Sequence, residues 1–168
     1  MHLIKKVTIN KPIQEVWRVW AEKFDKAQDW MAVVVHSFEK KEGNKTENSP
    51  MIGRICEFSA KENGPKVLED ILQYDEKKYL MDIKVVPQNV PLPLKYNLLK
   101  SSMRKVSDQQ TEITLDISPV ISWKGYLLYP LLRVGLSKSF NELLEELKYF
   151  LEKGQPHPRK LSKMKGKI

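Results

Sequence analysis

The sequence has one cysteine, three histidines, no apolar run long enough to cross a bilayer, and no acidic residue in its last 16 positions. Cys56, being alone, excludes an internal disulfide and fits a reducing, cytoplasmic setting. His2, His36 and His157 lie far apart, without Cys, His or acid neighbours at ligand spacing, so no metal centre is expected. Glycine-rich phosphate loops and dinucleotide fingerprints are missing, and no cofactor is expected. No Gly-x-Ser-x-Gly accompanies Ser37, His36 and Asp116, which disfavours a hydrolytic triad. The longest apolar run, 126–132, is too short for a membrane span, and the N-terminus begins a strand pattern at once, with no signal-peptide core.

Charge is unevenly distributed. The total is +8, but Lys153, Arg159, Lys160, Lys163, Lys165 and Lys167 hold six of those charges, leaving a net of only +2 on residues 1–152. The basic character therefore belongs to a segment, 153–168, with almost no apolar periodicity, expected to be a disordered tail. Its cations can rest weakly and reversibly on an anionic membrane surface; nucleic acid is disfavoured as a partner, and oligomeric state is not written in the sequence. The preceding 152 residues suffice for one domain with a single core.

The most regular feature lies between residues 125 and 152. Leu136, Phe140, Leu143, Leu144, Leu147, Phe150 and Leu151 line one face of a helix roughly 40 Å long if it runs the whole stretch, with Pro130 confining its start and Gly154 ending it. So long a stripe needs an extended apolar partner. Upstream, Leu3–Ile9 reads as a strand; Pro12, Ile13, Val16, Trp17 and Trp20 mark a short helix, and 24–28 a second. The period then becomes two, with strands expected at 32–40, 53–60, 67–74, 79–86, 96–106 and 111–118, separated by polar turns and the proline-rich connector 87–93. Hairpin links imply antiparallel neighbours, and six consecutive twisted strands should curl around the helix and leave space between. The fold class is thus α+β: a curved antiparallel sheet of about seven strands around a long C-terminal helix, with two short helices after the first strand.

This order resembles the helix-grip fold of the START-like (SRPBCC) superfamily, which includes the birch-pollen-allergen type and the polyketide cyclase/dehydrase-like proteins, the latter being the nearest branch. The resemblance is carried by INKPIQEVWRVW at 9–20, by Trp30, by EDILQYD at 69–75, and by Gly125 with LLEELKYFL at 143–151, and spans residues 3–152. It implies a cavity for a hydrophobic or amphipathic small molecule such as a lipid, isoprenoid or polyketide-like ring, and in some members catalysis. No Ser-Gly-Leu-Pro gate occurs, which argues against the mechanism of the plant abscisic-acid receptors. Trp17 and Trp20 read as core, whereas Trp30 reads equally as core or as the mouth of a cavity. Met81, Leu115, Ile117 and Phe140 would form its walls, which is also how an ordinary core looks. On strand 67–74 each parity carries an acid, so alternation leaves the inward face open; the resemblance implies Glu69 inward. There it is a carboxylate in apolar surroundings, with Arg54 as a possible partner; the alternative is a surface ion pair. The enzyme reading makes Glu69 a general base, with Arg54, Tyr96 or Tyr129 orienting a carbonyl substrate.

Overall fold

Strand β7 (Gln110–Ile121) shows how the sequence builds the sheet. Thr111, Ile113, Leu115 and Ile117 are buried, while Glu112, Thr114, Asp116 and Ser118 between them stay half-exposed. Period two gives one dry face and one wet one. The computed structural model, which describes residues 1–165, repeats this alternation on β6 (Leu94–Ser107) and β5 (Leu80–Gln88). With β1 (Leu3–Ile9), β2 (His36–Glu39), β3 (Gly53–Glu57) and β4 (Lys66–Asp75) they make a seven-stranded antiparallel sheet ordered β1-β7-β6-β5-β4-β3-β2.

A long helix, α2 (Tyr129–Lys153), runs beside β1: Lys5 Nζ meets Ser137 Oγ at 2.7 Å, and Lys148 Nζ meets the Thr8 carbonyl at 2.8 Å. Leu144 and Leu147 carry its stripe into the core, and Gly154, at φ 67°, ends it in the left-handed conformation that glycine adopts without strain. The core fills the space between helix and sheet together with α1 (Ile13–Trp17), the π-helical turn Arg18–Glu22 that follows it and the 3₁₀ segment Phe24–Asp29. Trp17 packs at 5.2 Å against Tyr74 and edge-on at 5.6 Å against Tyr79. Trp20 packs at 6.3 Å against Trp30 and donates its indole N–H to Ser101. All three tryptophans are buried, so Trp30 belongs to the core rather than to an open mouth. A fully buried side chain of the Leu or Ile kind contributes about 1.5–3 kcal/mol, so Ile9, Ile113, Leu115, Ile117 and Leu147 carry much of the stability.

The structure differs from the sequence expectation in three places. The strand expected at 32–40 is reduced to His36–Glu39, because the backbone at 31–34 makes a turn, with Val34 N–H bonded to the Met31 carbonyl. On β4 Glu69 and Ile71 point inward, and the pairing register then shifts between Ile71 and Gln73, so after the bulge Tyr74 does, in place of Gln73. The tail is not disordered over its middle. Pro158–Lys165 form a helix, α3, because its cations find partners: Arg159 pairs with Glu145 and Glu146 of α2, and Lys160 donates to the Val34 carbonyl. Lys167 lies outside the described residues. Among the described residues, no helix is long and apolar enough to cross a membrane.

Candidate functional site

Register places five residues in one row across the inner face of the sheet: Arg54, Glu69, Val85, Asn97 and Pro119, each facing the next on an adjacent strand. β3 reaches β4 closely enough for this because position 53 is glycine; a Cβ there would lie 1.9 Å from the Glu69 carbonyl oxygen. Glu69 Oε2 accepts from Arg54 Nε at 2.9 Å and from Nη2 at 2.8 Å, while Nη1 donates to the Phe24 carbonyl at 2.8 Å. The guanidinium carbon lies 3.9 Å from the centre of the Phe24 ring. Both side chains are buried, so the charges are matched to each other rather than offered to solvent. Burial pushes the neighbouring Cys56 thiol up to about 12, against the opposing pull of Arg54, which makes it a packing group and not a nucleophile.

Farther along the row Asn97 is also buried, and its side-chain oxygen has no hydrogen-bond partner. An unsatisfied buried acceptor costs about 1–3 kcal/mol. Sequence reasoning missed Asn97. Its signal was parity: it alternates in step with Leu99, Ser101 and Met103, all buried.

A separate opening lies where α2 faces the 31–33 turn. It is a cleft of about 310 Å³, walled by Met31, Ala32, Val33, Leu136, Phe140 and Leu143, with Ser139, Glu142, Glu146, Arg159 and Lys163 at its polar side. Glu146 ties the two walls together, since Oε2 accepts the Ala32 N–H at 2.8 Å and Oε1 lies 3.5 Å from Arg159 Nη1. Burial holds its carboxyl above the usual carboxylate range, opposed by the Ala32 N–H and by Arg159. A second cleft, of about 400 Å³, lies on the other side of the turn, between His36, Gln28 and α3.

Of the residues singled out in the sequence, Phe140 lines the first cleft. Arg54 and Glu69 are brought together, but with each other. Met81, Leu115 and Ile117 are sealed in the core, beneath the same face. Tyr96 is on the outer face, its ring 4.9 Å below Lys84 Nζ, and Tyr129 stands half-buried at the start of α2. Neither tyrosine joins Glu69 in a row or a bond. Among the described residues no group of three or more His, Cys, Asp or Glu could hold a metal ion.

No family model matches the sequence, and no curated protein does. Solved structures match over nearly the whole chain. A START superfamily protein from Mycobacterium smegmatis superposes with a TM-score of 0.71 at 8% identity, over 90% of this chain and 97% of that one. This is the helix-grip fold. The aromatase/cyclase ZhuI from Streptomyces sp. R1128 shares it at a TM-score of 0.68 and 12% identity, over 90% and 93% of the two chains. Norcoclaurine synthase from Thalictrum flavum shares it at 0.64 and 10%, over 92% and 95%. At these identities the likeness is one of fold.

Proposed function

We propose that the protein binds a hydrophobic or amphipathic small molecule, of the lipid, isoprenoid or polyketide-like kind, between α2 and the 31–33 turn. The observation that carries this reading is the cleft itself: about 310 Å³, lined by six apolar side chains and five polar ones. The fold shared with a START superfamily protein and an aromatase/cyclase supports it. A cyclase or dehydrase reading has less support, because Glu69, its candidate base, is committed to Arg54. Native mass spectrometry of the purified protein, with solvent extraction of what travels with it, tests the proposal. A bound apolar molecule is expected, and Leu136→Trp, which fills the cleft, should expel it while the melting temperature holds. A wild-type protein that carries nothing and takes up neither a long-chain fatty acid nor a polycyclic phenol overturns it.

A further inference from the structure

The first turns of α2 and the 3₁₀ segment Trp123–Leu128 before it present apolar side chains outward. Trp123 is 74% exposed, Tyr126 67%, Leu127 82%, Leu128 48%, Leu131 70% and Val134 67%. These six lie within twelve residues, and two of them, Leu131 and Val134, fall at i, i+3 on one face of α2, with Leu127 exposed just before it. Leu132, on the other side, is the one that reaches the core. This face is therefore surplus to folding: the helix is apolar on both sides just here, whereas farther along its outer side is polar. The connector before β6 adds to the patch, since Ser122 N–H bonds the Pro93 carbonyl, Gly125 packs against Pro93, and Leu92 is 48% exposed.

Charge decides what such a face fits. The sequence has no acid between Asp116 and Glu142, nor between Asp82 and Asp108, while Lys95, Arg133 and Lys138 are exposed in those two stretches. An apolar patch edged by cations, with Trp and Tyr among the leucines, is the composition of a surface that lies at the boundary of an anionic bilayer. A protein partner or a second copy of this chain would need acids to answer those cations, and none of its own lie in the patch to pair in a self-complementary way.

We infer that the Trp123–Leu128 segment and the first turns of α2 dock on a membrane surface containing anionic lipid, with Leu127, Leu131 and Val134 entering the acyl boundary and Arg133 and Lys95 resting on the headgroups. Binding of this kind is reversible and weakens as salt rises. It does not depend on the ligand proposal, and it assigns the contact to this face rather than to the basic tail.

Co-sedimentation of the full chain with phosphatidylserine-containing vesicles tests it. The wild-type chain should pellet with them at low salt and much less with phosphatidylcholine alone. Leu127→Glu with Leu131→Glu should lower the partition coefficient by about tenfold or more, since two leucines leave the bilayer and two like charges face it. Both positions are exposed, so the variant's circular dichroism and melting temperature should match the wild type. A chain ending at Gly154 should still bind. Equal pelleting of wild type and double variant overturns the inference, as does loss of binding in the truncated chain alone. A wild-type dimer that the variant turns into a monomer, with no vesicle binding, would assign the face to copies of the chain and overturn it equally.

Discussion

Arg54 gives Nε and Nη2 to one oxygen of Glu69 in a place that water does not reach, so each charge depends on the other. Glu69→Leu leaves a buried guanidinium uncompensated and should cost about 3–5 kcal/mol, seen as a lower urea midpoint. Arg54→Met combined with Glu69→Leu should recover most of that loss, because a well-packed apolar pair avoids the desolvation of both ions. A double variant no more stable than Glu69→Leu would show that the pair holds Phe24 in place by hydrogen bonding rather than by balancing charge. The resemblance implied Glu69 inward with Arg54 as a possible partner, but alternation alone left the face open, and that has a plain cause. Asp70 and Glu69 sit on opposite faces of the same strand, and the bulge between Ile71 and Gln73 breaks the alternation and turns Tyr74 inward in place of Gln73, so the residues beyond it do not point back to the Glu69 side as the dry one. A bulge leaves no periodic trace. Asn97 escaped notice for a related reason: polar residues are read as outward, and parity alone says otherwise.

At the scale of elements, Glu146 joins α2 to the 31–33 turn and to α3, and its raised carboxyl gives the junction a pH signature. Its proton is held more tightly in the folded than in the unfolded protein, whose carboxyl has the ordinary value of 4.5. The folded form therefore binds more protons in the window just above 4.5, and stability from this group falls as pH rises through it, being greatest below. Denaturant midpoints of wild type minus those of Glu146→Gln should decline from pH 4 upward and level off once the carboxyl is fully ionised; a difference flat across this range would remove Glu146 as the cause. The same scale shows where hydrophobic patterning succeeds. The stripe from Phe140 to Leu147 predicted a helix against a sheet, and α2 is that helix. Patterning was silent on the first turns, because apolar residues on every side of a helix carry no direction. It also overextended β2, since AVVV reads as a strand although the Ala32 N–H goes to Glu146 and the Val34 N–H to the Met31 carbonyl, while the Val35 N–H bonds across to the Glu57 carbonyl of β3.

For the molecule as a whole, the C-terminal residues matter more than their composition implies. A polar, cationic stretch was expected to wander, yet α3 packs through ionic and carbonyl contacts that a search for buried apolar residues cannot register. Ending the chain at Gly154 removes Arg159 from Glu146 and Lys160 from Val34, and should lower stability by about 1–3 kcal/mol, measured by chemical denaturation. An unchanged midpoint would restore the picture of a free tail.

One feature of the sheet bears on the order of events in synthesis. β1 is the first strand made but sits at the sheet edge beside β7, its register running from Leu3 opposite Ile117 to Ile9 opposite Thr111. At translation rates of about 5–20 residues per second, β1 waits roughly 5–20 s for its partner to appear. Through that interval β2 to β6 can zip as successive hairpins, each closing on its neighbour, while Leu3 to Ile9 remain a nascent strand without a template. Closure of the sheet is then the slow, non-local step, and the seam between β1 and β7 is where a ribosome-bound chain is most exposed to chaperones or to a neighbouring copy.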